Sequence, residues 1–453
     1  MEKLFKLKAH GTDVRTEVIA GITSFMTMAY ILAVNPNILS ASGMDKGAIF
    51  TATALASAFA SVLMALLANM PFVLSAGMGL NAYFAFTVCG SMGYSWHVAL
   101  AAVFVEGLIF IALSLTKVRE AIFNAIPATL KLAVSVGIGL FITFIGLQNA
   151  HIVVNNDSTL LGLFSFKAAA KAGTFATEGI TVLLALLGIL ITAVLVIKRV
   201  KGNILIGILV TWLLGIVCEL FGIYQPNPEA GVYSLIPSAI VSMPASLAPS
   251  FLKLSFEGVH LLDFAVVVFA FLFVDMFDTL GTLIGCASKA NMLDQDGKLP
   301  GIRGALLADA AGTSVGALLG CSTITTFVES SSGIAEGGRT GLTSVVAGGL
   351  FLLALFLSPL FLTIPSFATA PALVIVGFLM MQQVTKIDFQ NAVEAIPAFI
   401  TIFTMPFMYS ISEGIAFGVI SYVVISLVCG RAKKITPLMY ALAVLFVLKY
   451  IFI

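Results

Sequence analysis

Residues 264–286 read FAVVVFAFLFVDMFDTLGTLIGC, an apolar run that carries two acids, Asp275 and Asp278. A spanning helix needs about 20 apolar residues. A charge at bilayer depth costs at least ~2.5–3.5 kcal/mol on insertion scales, so acids persist there when they face a cavity, a partner or a substrate. A third acid, Glu329, lies in the glycine- and serine-rich stretch CSTITTFVESSSGIAEGGRTGLTS, residues 321–344. The run therefore bears on two questions together. The chain is built from membrane-spanning helices, and its chemistry sits inside them.

Composition agrees with that reading. The 453 residues are 60% hydrophobic and 10% charged, against about 25% charged in soluble chains. The net charge of +1 leaves no nucleic-acid footprint. The five cysteines, Cys89, Cys218, Cys286, Cys321 and Cys429, have neither metal spacing nor a disulfide framework. No metal, cofactor or catalytic constellation is expected. The opening MEKLFKLKAHGTDVRTEVIAG is polar and lacks a signal-peptide core, so it reads as a retained cytoplasmic tail.

Apolar segments fall near 17–40, 49–69, 75–88, 96–115, 128–148, 178–197, 203–222, 262–286, 302–320, 322–336, 340–362, 368–383, 391–409 and 413–430. Those at 75–88 and 322–336 are too short or too rich in glycine for plain spanning helices. Residues 438–453 read as a further terminal helix at the interface. With fourteen crossings and a cytoplasmic N-terminus, 19 basic residues fall in inner loops and only Lys46, Lys167, Lys171 and Lys253 outside. That split obeys the positive-inside rule and places both termini in the cytoplasm.

The halves resemble each other. Pro127 and Gly139 map onto Pro365 and Gly377 at one offset of 238, and Gly207-Ile208-Leu209 resembles Gly418-Val419-Ile420. Seven segments per copy is odd, so two copies must be inverted, an architecture common among secondary transporters. Breaks at matching places, around Gly77–Asn81 and Thr325–Ser330, point to the substrate site. An extended piece followed by a half-helix leaves free N–H donors near Gly79–Ala82, and the second break should do likewise.

Asp275 and Asp278, three apart, share one helical face. Two adjacent carboxylates in a low dielectric do not both ionise easily, so the pair is suited to loading and releasing a proton. The competing role is a structural hydrogen bond to a neighbouring helix. Glu329 can accept hydrogen bonds from a ligand, or cap the helix at its break. Glu106 and Asp309 are as readily structural as functional. Glu336 and Arg339 read as caps or a pair near the inner surface. The histidines lie in tails or loops. Phe25, Tyr30, Phe84, Phe277 and Phe327 could stack on a ring, or simply fill the core.

Three stretches carry a resemblance to a known family: Phe273-Val274-Asp275-Met276-Phe277-Asp278-Thr279-Leu280-Gly281-Thr282, the run TTFVESSSGIAEGGRTG from Thr325, and Gly77-Met78-Gly79-Leu80-Asn81-Ala82. They resemble purine nucleobase permeases, the hypoxanthine/guanine/adenine branch of the nucleobase–cation symporters related to uracil and xanthine permeases. The opening HGTDVRTEVIAGITSFMTMAYILAVNP is also similar, and the resemblance spans essentially the whole chain. It implies an all-α polytopic membrane protein of fourteen segments in two inverted sevens, with short antiparallel strands in segments 3 and 10. It divides the chain into a tail (1–16), a core domain (17–115 and 262–362) and a gate domain (116–261 and 363–453), the core sliding against the gate within a homodimer in the cell membrane. It puts Asp278 and Glu329 on the base, with Asn81, Phe327, Val328 and Gly79 beside them, and assigns proton coupling to Asp275 and Asp278. Ser75-Ala76 departs from the Ala-Pro frequent before Gly77.

The chemistry fits. A purine is flat and rich in donors and acceptors, and a wrong edge leaves buried groups unpaired. The runner-up is a sulfate- or bicarbonate-type anion carrier of the same fold, whose site should avoid carboxylates. An intramembrane aspartyl protease needs acids opposed from different helices, whereas Asp275 and Asp278 share one face.

Overall fold

The computed structural model describes residues 2–115, 126–227, 232–289, 292 and 299–452. Lys117, Arg119 and Lys298, counted among the inner charges, lie outside the described residues, as do the first ten residues of the expected gate domain and the side chain of Phe277.

Short helical turns aside, the order is α1 (Val14–Met28), α2 (Ile31–Leu39), α3 (Lys46–Ala68), β1 (Leu74–Ala76), α4 (Met78–Ala82) running into a π-helical stretch (Tyr83–Ser91), α5 (Trp96–Leu115) and α6 (Ala128–Asn149). A hairpin, β2 (Val153–Asn156) and β3 (Leu160–Leu163), occupies the long loop before α7 (Ile180–Ile197) and α8 (Asn203–Leu220). The second half runs α9 (Leu261–Lys289), α10 (Ile302–Leu319), β4 (Ile324–Thr326), α11 (Ser330–Ala335), α12 (Gly341–Ala354), α13 (Ser366–Met381), α14 (Ala392–Phe407), α15 (Ile411–Val428) and α16 (Pro437–Phe452). Among the described residues, ten helices are long and apolar enough to cross a membrane. The protein is a mostly helical, multi-pass membrane protein.

Two packing sets emerge. Helices α1, α3, α5, α9, α10, α11 and α12 pack chiefly on one another, and α6, α7, α8, α13, α14 and α15 do the same. Contacts between the sets are sparser, through α1 with α8 and α9 with α6 and α15, while α4 of the first break also meets α6.

The two halves of the chain meet at matching places. Helices α6 and α13 cross where a Cβ on Gly377 would stand 2.4 Å from the Gly139 carbonyl oxygen, and one on Gly139 2.7 Å from that of Gly377. Only glycine permits this approach. Strands β1 and β4 pair antiparallel, Ser75 opposite Thr325. Gly207 packs on Thr192 as Gly418 packs on Thr401.

The apolar segment at 17–40 is divided at Ala29-Tyr30, between α1 and α2. Tight turn bonds from Leu32 to the Ala29 carbonyl and from Ala33 to that of Tyr30 mark the join. Pro36, inside α2, lacks an N–H to continue a regular ladder. Nothing in the apolar pattern announces the division, because apolar residues run on through both pieces.

Candidate functional site

The candidate site lies where the two broken segments meet. Beyond the three paired residues, the ladder is extended by Gly77 N–H donating to Thr323 (3.0 Å) and Phe327 N–H donating to Val73 (3.1 Å). Ser330 Oγ accepts from Val73 N–H at 3.0 Å, and Ser57 and Ser75 hydroxyls meet at 2.7 Å. Hydroxyls thus hold a short ribbon in the middle of a helical protein, where an isolated two-stranded pair would be marginal.

Each strand hands over to a helix start. Among the described residues, the amides of Met78, Gly79 and Leu80 meet no acceptor, and neither does that of Val328. The free donors expected near Gly79–Ala82 thus stand slightly earlier, at Met78–Leu80, because the Asn81 N–H is taken by the Gly77 carbonyl at 2.8 Å.

Glu329 is half-buried at the end of the second break. Its Oε1 accepts from the Tyr30 hydroxyl at 2.7 Å, and its carbonyl from Thr27 Oγ1 at 3.4 Å. The division between α1 and α2 thus delivers Tyr30 to the acid. Asp278 is half-buried on α9 and lies close enough to act electrostatically on both Glu329 and Tyr30. Val328, just before Glu329 in the second break, is 56% exposed although Phe327 before it is buried. The two acids are therefore not sealed into the core as Phe327 is.

Asp275 is placed differently. It is fully buried, and its Oδ1 is met by Thr279 Oγ1 at 3.4 Å. From another helix Glu106 interacts with it, and the acid acting on Asp278 is Glu329. The shared helical face expected of Asp275 and Asp278 does not make them one pair, because each turns to a different neighbour.

Asn81 is fully buried, with Nδ2 donating to the Ala76 carbonyl at 3.5 Å and Oδ1 accepting from Ser322. The oxygen ties this break to the other, and the nitrogen closes on the strand of its own break. Gly79 lies where a Cβ would stand 2.6 Å from Ile138 Cγ2 on α6. Phe25 meets Phe351 edge-on at 5.1 Å, and Phe84 is fully buried. Arg339 caps the end of α11, donating to the Ile334 carbonyl at 2.7 Å, while Glu336 pairs with Lys201.

Residue-type reasoning missed Tyr30 as an acid's donor, Thr279 as a bridge, and Glu17. Glu17 is fully buried and accepts from Arg339 N–H (2.8 Å) and Thr343 Oγ1 (2.6 Å), capping the start of α12. The signal for Glu17 was present in an acid near the start of one apolar segment and the orphan donors that open another.

Comparison with known proteins follows the same line. The sequence profile described as Permease family, Xan_ur_permease, matches residues 15–443. The putative permease MJ0326 of Methanocaldococcus jannaschii is 51% identical, over 100% of this chain and 98% of its own. The guanine/hypoxanthine permease PbuG of Bacillus subtilis is 44% identical with 100% of both chains covered, and the adenine permease AdeP of Escherichia coli is 42% identical over 100% of this chain and 96% of its own. In fold, the chain is similar to the transmembrane domain of the cyanobacterial bicarbonate transporter BicA. The TM-score is 0.64 at 17% identity, covering 89% of this chain and 97% of that one.

Proposed function

The chain belongs to the Xan_ur_permease family of permeases, and from that premise we propose that it takes up purine nucleobases across the cytoplasmic membrane, coupled to protons. The observation that carries the proposal is the convergence of Asp278 and Glu329 beside the free amides of two matching breaks. Carboxylates accept from a purine's ring and amino N–H groups, and the amides of Met78–Leu80 and Val328 donate to its carbonyl or ring nitrogens. The relatives named as adenine and guanine/hypoxanthine permeases support hypoxanthine, guanine or adenine as cargo. Val328 and Phe327 border the base; Gly79 and Asn81 serve through the backbone they hold. Asp275 handles the proton.

The working cycle is an elevator. The core (17–115 and 262–362) carries the site past the gate (116–261 and 363–453), and two such chains form a homodimer in the cell membrane with cytoplasmic termini. Fourteen segments in two inverted sevens are supported by the contacts of Gly139 with Gly377 and of Ser75 with Thr325. An element that meets its own repeat mate lies on the axis relating the halves. The sliding division is supported by dense packing within each helix set and sparse packing between them.

An anion carrier would share this fold, as the likeness to BicA illustrates, but its site would present donors and not two acids. Reconstituted protein should accumulate radiolabelled hypoxanthine, guanine or adenine, and no sulfate or bicarbonate. Glu329→Gln and Asp278→Asn should reach the membrane and lose uptake about 10-fold or more, since a hydrogen bond to a charged group is worth about 1.5–3 kcal/mol. Sulfate uptake without purine uptake, or full purine uptake by either variant, would overturn the assignment.

A further inference from the structure

We propose that the coupled proton is held between Glu106 and Asp275, two acids on different helices, with Asp309 as the third member of the site. The proposal rests on the proton-coupled reading above and adds Glu106 as a residue of the coupling machinery. Glu106 on α5, Asp275 on α9 and Asp309 on α10 are all fully buried. Glu106 Oε2 accepts a long bond from Thr323 Oγ1 at 3.4 Å, while its Oε1 meets no donor among the described residues. What stands within hydrogen-bonding reach of the Glu106 carboxyl is the carboxyl of Asp275, and Asp309 acts on it from further away. Two carboxyl groups bond to each other only through a proton.

The groups packed around α5 supply no other source of that proton. Helix α9 presents Asp275 and α10 presents Asp309, both acids. The π-helical stretch carries Tyr83 and Cys89, and neither acts on Glu106; Tyr83 turns to Phe271 and Ser412. No lysine, arginine or histidine among the described residues acts on it. An uncompensated charge in such a place is strongly destabilising, so a proton between the two acids is the cheapest way to fill the site.

The same cluster touches the substrate ribbon. Thr279 Oγ1 lies 3.0 Å from Asp309 Oδ2, 2.8 Å from Thr325 Oγ1 on β4 and 3.4 Å from Asp275 Oδ1. One hydroxyl proton cannot serve both carboxyls at once, whichever way the bond with Thr325 runs. Thr279 also follows Asp278 directly in the chain. Losing the proton leaves like charges facing each other across α5 and α9, and Thr279 passes the resulting shift to the strand pair and to Asp278.

Glutamine at position 106 supplies a permanent donor to Asp275, mimicking the loaded site. In proteoliposomes, Glu106→Gln should keep gradient-free counterflow of labelled purine but lose accumulation driven by an imposed pH gradient about 10-fold or more, within the ordinary range of coupling between two ligand sites. Accumulation equal to wild type, with the same pH profile, overturns the proposal. So does wild-type accumulation that follows a sodium gradient and ignores pH. Infrared spectroscopy of the purified wild-type protein, without substrate, supplies a readout that needs no variant. A protonated buried carboxyl band at neutral pH is expected, and its absence overturns the proposal. Wild-type counterflow that fails for every purine refutes the purine reading alone, and the infrared band still decides the proton site.

Discussion

Tyr30 shows how one side chain links the helix break to the site. Its hydroxyl gives Glu329 a bond at 2.7 Å, and a bond to a charged group is worth about 1.5–3 kcal/mol. Tyr30→Phe removes that donor and keeps the ring. Purine affinity, read by equilibrium binding to the purified protein, should fall by about 10-fold, with little change in thermal stability. Unchanged affinity would mean that Glu329 needs no orienting partner. The three acids were legible in the sequence because charge inside an apolar run is costly. Their partners were not, since a tyrosine or a threonine in such a run carries no energetic signature. The division of labour between Asp275 and Asp278 was hidden for a related reason. Helical spacing fixes the face from which a side chain leaves, and the neighbouring helices decide what it meets. Glycines can be read more simply: a Cβ on Gly377 would stand 2.0 Å from Thr143 Oγ1 and 2.4 Å from a backbone oxygen. Gly377→Ala should therefore cost about 1–3 kcal/mol as overpacking, visible as a lower melting temperature and a reduced yield of folded protein.

At the scale of elements, the helices were the legible part. Each apolar segment from 96–115 to 203–222 returns as a helix with nearly the same ends, because burial in lipid demands a long apolar run with all backbone groups satisfied internally. The breaks were visible as glycine and serine within such runs. Their close fit to the neighbouring helix was not. Gly79, on the first break, sits against Ile138 of α6, with 2.6 Å from a would-be Cβ to Ile138 Cγ2. In the proposed sliding cycle this contact would lie between core and gate, so bulk there should hinder movement more than binding. Gly79→Ala should slow purine counterflow several-fold while leaving equilibrium affinity near that of wild type. Ile138→Ala, which removes the obstructing methyl, should restore the rate in the double variant. Loss of affinity in Gly79→Ala with no rescue would return Gly79 to the substrate's own surface.

Across the whole molecule, the two helix sets touch at few places, and one of them is accessible to chemistry. Lys201, in the turn between α7 and α8, pairs with Glu336 at the end of α11, their side chains 64% and 26% exposed. An exposed pair contributes about 0–1 kcal/mol. It cannot hold two domains together, and Lys201→Glu alone should change transport little. Its position is the informative part, because one partner belongs to each set. If the core travels past the gate, these two positions must part during every cycle. Lys201→Cys with Glu336→Cys, in a background where Cys89, Cys218, Cys286, Cys321 and Cys429 are serine, should form a disulfide under mild oxidation. Cross-linked protein should stop carrying purine, regain transport on reduction, and still bind purine from the side to which this conformation opens. Transport that continues at the full rate with the cross-link formed would mean that the site is reached without relative movement of the two sets, and the elevator cycle would fall while the purine site stood.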